Sequence, residues 1–210
     1  MTEAPLYPVS LVLDGRSCLV VGGGPVALRK IRGLLHCGAR VTVIAPSLVP
    51  EIIALDVVLK RRRYCPGDVA GHRLVIAATG DPEVNHLVFC DAESAGILCN
   101  SADDRHACSF MLPSVVRHDP VTVAVSTAGA SPALSVWLRH LLAGFVGPEH
   151  AEMAMILGEA RRALHRSGRS SEQVDWRSLL DGDLPSLVRE GRLTEAREMV
   201  SRVAEVTLQS

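Results

Sequence analysis

Three small residues, Gly22, Gly24 and Ala27, stand at the spacing G-x-G-x-x-A between an apolar run and an amphipathic segment. In a strand–turn–helix unit this spacing lets a diphosphate lie against the backbone. The first glycine permits a tight turn, the second lets the backbone approach the phosphates, and the alanine lets the helix pack closely on the strand. Because N–H groups at a helix start attract anions, the pattern predicts a dinucleotide site here.

The residues after the second predicted strand bear on which dinucleotide is bound. An Asp or Glu that accepts from the ribose 2′-hydroxyl is usual about 20 residues beyond the glycines. This chain has Ala45-Pro46-Ser47 there instead. Ser47 and backbone groups are therefore expected to contact the ribose, and the residues alone do not separate NAD from NADP.

The elements that must position these residues alternate between strand and helix up to about residue 115. Such alternation predicts an α/β fold, a Rossmann-like doubly wound parallel sheet. Asp81 is the predicted N-cap of the second helix, with Pro82 at its first position. The predicted strands cover 18–21, 40–45, 56–62, 73–79, 97–100 and 109–115, and the first helix covers 25–37. The predicted buried faces of the two helices are Val26, Ala27, Ile31, Leu34 and Leu35, and Val84, Leu87, Val88 and Ala92.

The pattern changes after residue 115. A β-branched run over 120–128 predicts a lone strand with an open edge. A helix with Ser131 as its N-cap and Pro132 at its first position follows and continues to about Phe145. That helix is apolar nearly all round, which is typical of a helix buried against a partner. We therefore predict a small α+β dimerisation unit and a homodimer, followed by a helical C-terminal region. The predicted domains are 1–114, 115–147 and 148–210.

Composition excludes several classes of function. The formal net charge of −1 argues against nucleic-acid binding by bulk electrostatics. No signal-peptide run and no apolar stretch of about 18 residues is present, so a cytoplasmic protein without a membrane partner is expected. The six cysteines show no zinc-type spacing with each other or with histidine, and they are expected to be free, mostly buried thiols.

Several local signatures occur in a family-like order: GGGPVALRK at 22–30, IAPS at 44–47, IAAT with D-P and VN at 76–85, CNSAD at 99–103, SFMLPS at 109–114 and VAVSTAGASPAL at 123–134. This order resembles the precorrin-2 dehydrogenase/sirohydrochlorin ferrochelatase family of siroheme synthesis, over about residues 8–165. The chain is similar to the stand-alone form, without a methyltransferase domain. The resemblance implies NAD-dependent oxidation of precorrin-2 to sirohydrochlorin, and in many members insertion of ferrous iron as a second substrate.

The resemblance also implies roles for particular residues. Asp103 matches the family's key acid, which would accept a proton as hydride leaves the tetrapyrrole or as metal displaces protons. The alternative for Asp103 is an Asx turn or a helix cap. With Asp104 beside it, two exposed loop acids are a simpler explanation than one raised pKa. Thr127 stands where some relatives have a serine that is phosphorylated. The threonine keeps a hydroxyl, but because the serine itself is replaced, regulatory modification is not expected here. The implied cofactor contacts are Gly24, Pro25, Val26, Pro46, Ser47 and Thr79.

A tetrapyrrole with many carboxylates needs cations around an apolar floor. The candidates for binding these carboxylates are Arg105, His106, Arg117, His118, Arg139 and His140. The histidines show no H-x-H or HExxH spacing, so no metal site in the protein is expected. The macrocycle itself would ligate the iron.

Three alternatives remain open at this stage. An NAD-binding regulatory module would share the glycine turn, although such modules usually keep the acid after the second strand. A dehydrogenase of another small substrate would need a reactive Lys, His or Tyr set, and none is visible. A family member that has lost the chelatase activity is the third.

Overall fold

The structure is a computed structural model that describes residues 5–206, apart from the side chains of Glu205 and Val206. It contains two compact units, the first ending at Leu112 and the second beginning at Pro113. The ends of the first and third predicted domains, residues 1–4 and 207–210, lie outside the described residues. The finer division into three domains stays a prediction.

The first unit is a five-stranded parallel sheet with the strand order β3-β2-β1-β4-β5. The order reverses between β1 and β4, which is the arrangement of a doubly wound nucleotide-binding sheet. The predicted Rossmann-like α/β fold is therefore confirmed. Its elements are β1 (Ser17–Val21), α1 (Pro25–His36), β2 (Arg40–Ile44), α2 (Pro50–Ile53), β3 (Val58–Lys60), β4 (Leu74–Ala77), α3 (Pro82–Ser94) and β5 (Leu98–Ser101).

The central strand β1 is buried on both faces, as expected where helices cover a parallel sheet. Its residues alternate between two apolar clusters. Val20 packs in the cluster of α1 with Ala27 and Ile31, whereas Leu19 packs in the cluster of α3 with Val88. The carboxyl ends of β1, β2 and β4 are thus fixed between two packed layers.

The second unit begins with an antiparallel hairpin and continues as helices. In the hairpin, Ser114 pairs with Val125 and His118 with Val121. The later helices share an apolar core that includes Ile156, Leu184 and Val200. The elements are β6 (Ser114–His118), β7 (Val121–Val125), α4 (Pro132–Ala143), α5 (Pro148–Arg166), α6 (Trp176–Asp181), α7 (Leu184–Arg189) and α8 (Leu193–Val206).

Two strand predictions were wrong. No continuous strand covers 109–115, because Ser109 N donates to Cys99 O and the segment folds back on β5 through an Asn100–Cys108 bridge. The strand starts only at Ser114. It pairs with β7, so the run over 120–128 is one arm of a hairpin and not a lone strand.

Helix faces and cysteines also needed correction. Val26 and Leu87 are exposed rather than buried, and the buried polar residue of α3 is Asn85. Among the cysteines, which are all free, Cys65 and Cys90 are exposed, whereas Cys18 and Cys99 are buried. Burial raises the pKa of the Cys18 thiol to about 11 and that of the Cys99 thiol to about 12.

Candidate functional site

A cleft of about 1100 Å³ lies at the carboxyl ends of the strands in the first unit. It is the place where open α/β sheets bind their ligands, outside the switch between β1 and β4. The eight residues predicted for cofactor binding and catalysis all line this one cleft: Gly22, Gly24, Pro25, Val26, Pro46, Ser47, Thr79 and Asp103. The exposure of Val26 follows from its place at this cleft.

The first two glycines of the turn are required by the protein's own packing. A Cβ on Gly22 would meet Ala78 O at 2.2 Å, and the φ of Gly22 is +133°. A Cβ on Gly23 would meet Ser47 O at 1.9 Å. The backbone that follows β1 therefore lies directly against the residues that follow β4 and β2. This close approach leaves no room for a side chain at Gly22 or Gly23.

Gly24 differs, because a Cβ built on it meets no described atom within 4 Å. Gly24 is the N-cap residue of α1 and has an extended backbone. No described side chain accepts a hydrogen bond from the first N–H groups of this helix. The first turn of α1 also has no acidic residue. The junction thus fits a diphosphate: open space lies beside Gly24, and the first N–H groups of α1 have no side-chain acceptor.

Thr79, directly after β4, joins a hydrogen-bonded group on the other side of the cleft. Its backbone N–H donates to Asn85 Oδ1 at 3.0 Å, and its hydroxyl lies 2.7 Å from the same oxygen. Asp81 caps α3 by accepting from Glu83 N at 3.0 Å, which confirms the predicted cap. The cap fixes the first turn of α3, where Asn85 lies.

Asn85 then connects Thr79 to Asp103. Its Nδ2 lies 3.0 Å from each carboxylate oxygen of Asp103, and Ser101 Oγ donates to Asp103 Oδ1 at 2.7 Å. The Ser101 hydroxyl, the Asn85 amide and nearby backbone N–H groups lower the pKa of Asp103 against a smaller opposing effect of burial. Asp103 is therefore a carboxylate at neutral pH, exposed at the cleft.

Asn85 was not among the predicted site residues, although it lies in the signature IAAT…VN at 76–85. The available signal was an amide on the face of α3 that otherwise carries Val88 and Ala92, since a polar residue on a buried face needs specific partners. Arg63 and Tyr64, which line the cleft after β3, were not predicted either.

The cations proposed for substrate carboxylates are divided between the two units. Arg105 and His106 are exposed in the loop after β5 and are not among the residues that line the cleft. Arg117 lies on β6, with Nε 4.0 Å from Asp119 Oδ1, and Arg139 lies on α4. His118 and His140 follow them in the sequence, on the same elements.

Two features are absent from the part of the chain that the structure describes. Between residues 5 and 206, no group of three or more His, Cys, Asp or Glu side chains has an arrangement that holds a metal ion. Over the same residues, no helix is long and apolar enough to cross a membrane.

Thr127 has an internal structural contact in the second unit. Its hydroxyl oxygen accepts from Ser131 N at 3.1 Å and lies 3.0 Å from Ser135 Oγ and from Ser131 O. The hydroxyl thus stabilises the turn that enters α4.

Comparison with known proteins places these observations in a family. A family model described as putative NAD(P)-binding matches residues 9–114. The siroheme synthase of Chromobacterium violaceum is 37% identical over 205 residues, which are 94% of this chain and 44% of the relative. That of Thioalkalivibrio sulfidiphilus is 36% identical, over 96% of this chain and 42% of the relative. The chain therefore spans less than half the length of these relatives.

A solved structure matches over nearly the whole chain. It is SirC, precorrin-2 dehydrogenase, with a TM-score of 0.73 and 28% identity, over 94% of this chain and 100% of SirC. Since the family model covers half of the sequence, the chain belongs to the putative NAD(P)-binding family, and its predicted resemblance to the siroheme-synthesis dehydrogenases is confirmed.

Proposed function

We propose that this protein oxidises precorrin-2 to sirohydrochlorin with a nicotinamide dinucleotide, NAD in the form that the family resemblance implies. The observation that supports this most directly is a single cleft lined both by the open glycine turn and by the Asp103 carboxylate. The names of the similar siroheme synthases and of SirC, precorrin-2 dehydrogenase, agree with it.

The dinucleotide would lie along the carboxyl edge of the sheet. Gly22, Gly24, Pro25 and Val26 would contact its diphosphate, and Pro46 and Ser47 its adenosine ribose. Thr79 would lie beside its nicotinamide half. When bound, the nicotinamide ring supplies the chemistry of a hydride acceptor.

Asp103 would accept the proton that a dehydrogenation releases together with the hydride. The Asn85 amide and the Ser101 hydroxyl orient the carboxylate and keep it ionised, so that it is ready to accept that proton at neutral pH. A low pKa makes Asp103 a weak base. Its contribution therefore depends on close positioning against the substrate more than on basicity.

The role of Asp103 is tested by anaerobic assays with precorrin-2 and NAD. Asp103→Asn should lower turnover by about 100-fold or more, the usual range for loss of a general base, without changing NAD affinity. Asp104→Asn is the matched control, since Asp104 is the adjacent exposed acid and accepts from His106 N. Full turnover in Asp103→Asn would remove this residue from the mechanism.

We also propose ferrous iron insertion into sirohydrochlorin as a second activity, with iron as substrate. Asp103 would receive protons that the metal displaces from the macrocycle. The test is insertion of Fe²⁺ into sirohydrochlorin without dinucleotide. A rate equal to that of the protein-free solution would identify this chain as a dehydrogenase without chelatase activity.

A homodimer is proposed on the exposure of α4. Leu134, Trp137 and Leu141 on this helix are all about half exposed within the single chain, and Phe145 beyond it is 75% exposed. Large apolar side chains that stay exposed along one helix usually mark an association site. Sedimentation should show a dimer at micromolar concentration; a stable monomer would contradict this. The cytoplasm stays the proposed location.

A further inference from the structure

The loop that carries Asp103 leaves the sheet at the end of β5 and returns along the same strand. Asn100 pairs with Cys108 in an antiparallel bridge, and Ser101 N donates to Ala107 O at 3.2 Å. The loop is therefore closed at its base. The position of Asp103 depends on what holds the backbone within this closed loop.

The Cys108 side chain connects the two sides of the loop. Its Sγ atom accepts from Ser101 N at 3.2 Å and from Asn100 Nδ2 at 3.4 Å. The same atom lies 3.3 Å from Ser101 O and 3.2 Å from Asp104 O, and its single S–H can donate to one of these carbonyls at a time. Cys108 thus contacts the backbone before and after Asp103.

The donor role of Cys108 requires a thiol rather than a thiolate. Burial raises the pKa of Cys108, against a smaller lowering by the Ser101 N–H. The nearby Asp104 carboxylate raises this pKa further, whereas Lys30 lowers it. Since an ordinary cysteine already titrates above neutral pH, Cys108 keeps its proton at neutral pH and can donate to a carbonyl.

Cys108 acts on the cleft through other residues. Ala102 and Asp103 of the same loop line the cleft, whereas Cys108 is not among the described residues that do so. The Asp103 carboxylate accepts from Ser101 Oγ at 2.7 Å, and the thiol contacts the backbone of that same serine. A shift of Ser101 would therefore displace the hydroxyl that holds the carboxylate.

We propose that the Cys108 thiol is a positioning residue for the Asp103 carboxylate, because it ties Ser101 to Asp104 across the base of the loop. Each hydrogen bond of a thiol is weak, but here several of them converge on residues that flank one carboxylate. The inference rests on the proposed function, because it assumes that Asp103 acts on a substrate in the cleft.

Steady-state kinetics with precorrin-2 and NAD, under anaerobic conditions, test the inference. Cys108→Ala should lower kcat by about 10-fold or more, within the range that a misplaced catalytic group causes, and leave the dissociation constant of NAD unchanged. Cys108→Ser keeps a group that can accept and donate, so it should restore most of kcat. Where the alanine variant does not fold, Cys108→Val removes the same hydrogen bonds and keeps more of the side-chain volume.

A second measurement needs no substrate. Titration by NMR of protein with isotope-labelled aspartate gives the pKa of Asp103. Because the Ser101 hydroxyl is the largest cause of the lowered pKa of Asp103, Cys108→Ala should raise that pKa toward the ordinary value of an aspartate. Cys108→Ser should leave it low. A role of the thiol in folding stability alone would not change this pKa.

Ser109→Ala is the matched control in the same loop. Ser109 Oγ accepts from Cys99 N at 2.7 Å, so this variant weakens the return of the loop to β5 and removes no described contact to residues 101–104. It should lower the free energy of unfolding, as urea denaturation would show. The values of kcat and of the Asp103 pKa should stay at those of the wild-type protein.

Several outcomes would overturn the inference and leave the proposed function standing. They are a wild-type kcat or an unchanged Asp103 pKa in Cys108→Ala, a serine variant as impaired as the alanine variant, and an equal loss of kcat in Ser109→Ala. A wild-type protein that binds NAD but forms no sirohydrochlorin would instead overturn the proposed function, and the inference with it.

Discussion

The amide nitrogen of Asn85 lies 3.0 Å from both carboxylate oxygens of Asp103. Asn85 is only 1% exposed, whereas Asp103 lies open at the cleft. A buried amide thus fixes an accessible carboxylate, and the same amide fixes Thr79 through its Oδ1 atom. Asn85 thereby couples the residues that follow β4 to those that follow β5.

Replacing Asn85 should destabilise the first unit. Asn85→Ala leaves the Thr79 N–H without its acceptor and removes two contacts to Asp103, and an unsatisfied buried polar group costs about 1–3 kcal/mol. Urea denaturation would measure the free energy of unfolding. His86→Ala, one residue further along α3 and exposed, should leave it unchanged. An equal loss in both variants would show that the amide contacts are not the cause.

Ser101 should control the pH dependence of the proposed reaction. Its hydroxyl is the largest cause of the lowered pKa of Asp103, so wild-type turnover should persist below the ordinary pKa of an aspartate. Ser101→Ala should move the acidic limb of the pH–rate profile to higher pH, because protonation then begins earlier as the pH falls. An acidic limb at the same pH in both proteins would contradict this assignment.

The same lowered pKa has a consequence for folding, with a defined sign. Because the pKa of Asp103 is lower in the folded than in the unfolded state, its contribution to stability is present above the unfolded-state pKa. It is lost as the pH falls through the folded-state value. Ser101→Ala should therefore flatten the acid side of the stability curve, which denaturation at a series of pH values would show.

Two neighbouring glycines should respond differently to alanine. Gly24→Ala adds a methyl group to open space at an allowed backbone conformation, so folding stability should be unchanged. Since that space is where the diphosphate would lie, dinucleotide affinity should fall by about 10-fold or more. Gly23→Ala, which collides with Ser47 O, should destabilise the fold itself. Wild-type affinity in a folded Gly24→Ala protein would place the dinucleotide elsewhere.

Thr127 should matter for stability and not for regulation. Thr127→Val keeps the shape but loses the acceptor for Ser131 N, which should lower the stability of the second unit by about 1 kcal/mol. Thr127→Ser keeps the hydroxyl and should retain most of that stability. Thermal unfolding of the three proteins would compare them. Equal melting temperatures for Thr127→Val and the wild-type protein would contradict a structural role.

The sequence was most informative where backbone geometry leaves little choice. The spacing of Gly22, Gly24 and Ala27 located the first β–α junction. Close packing excludes larger residues at Gly22 and Ala27, whereas Gly24 leaves open space for a ligand. The runs at 18–21 and 73–79 predicted strands, and the structure buries β1 and β4 almost entirely. The cleft at their carboxyl ends followed from the parallel arrangement.

Contacts between residues far apart along the chain were harder to predict from the sequence. Nothing local distinguishes Asn85 as the partner of Asp103, since 18 residues and a β-strand separate them along the chain. Arg63 likewise stands in a run of three arginines in the sequence. The folded structure identifies it as the arginine of that run that lines the cleft. The segment over 109–115 was read as a strand from its apolar residues, whereas its hydrogen bonds to Cys99 bend it back along β5.

In the proposed function, one cleft brings a dinucleotide and the Asp103 carboxylate to the same tetrapyrrole. The most direct test follows NADH and sirohydrochlorin together, in an anaerobic reaction of the wild-type protein with precorrin-2 and NAD. We expect the two products to rise at equal rates and in equal amounts. Binding of NAD without formation of either product would contradict it.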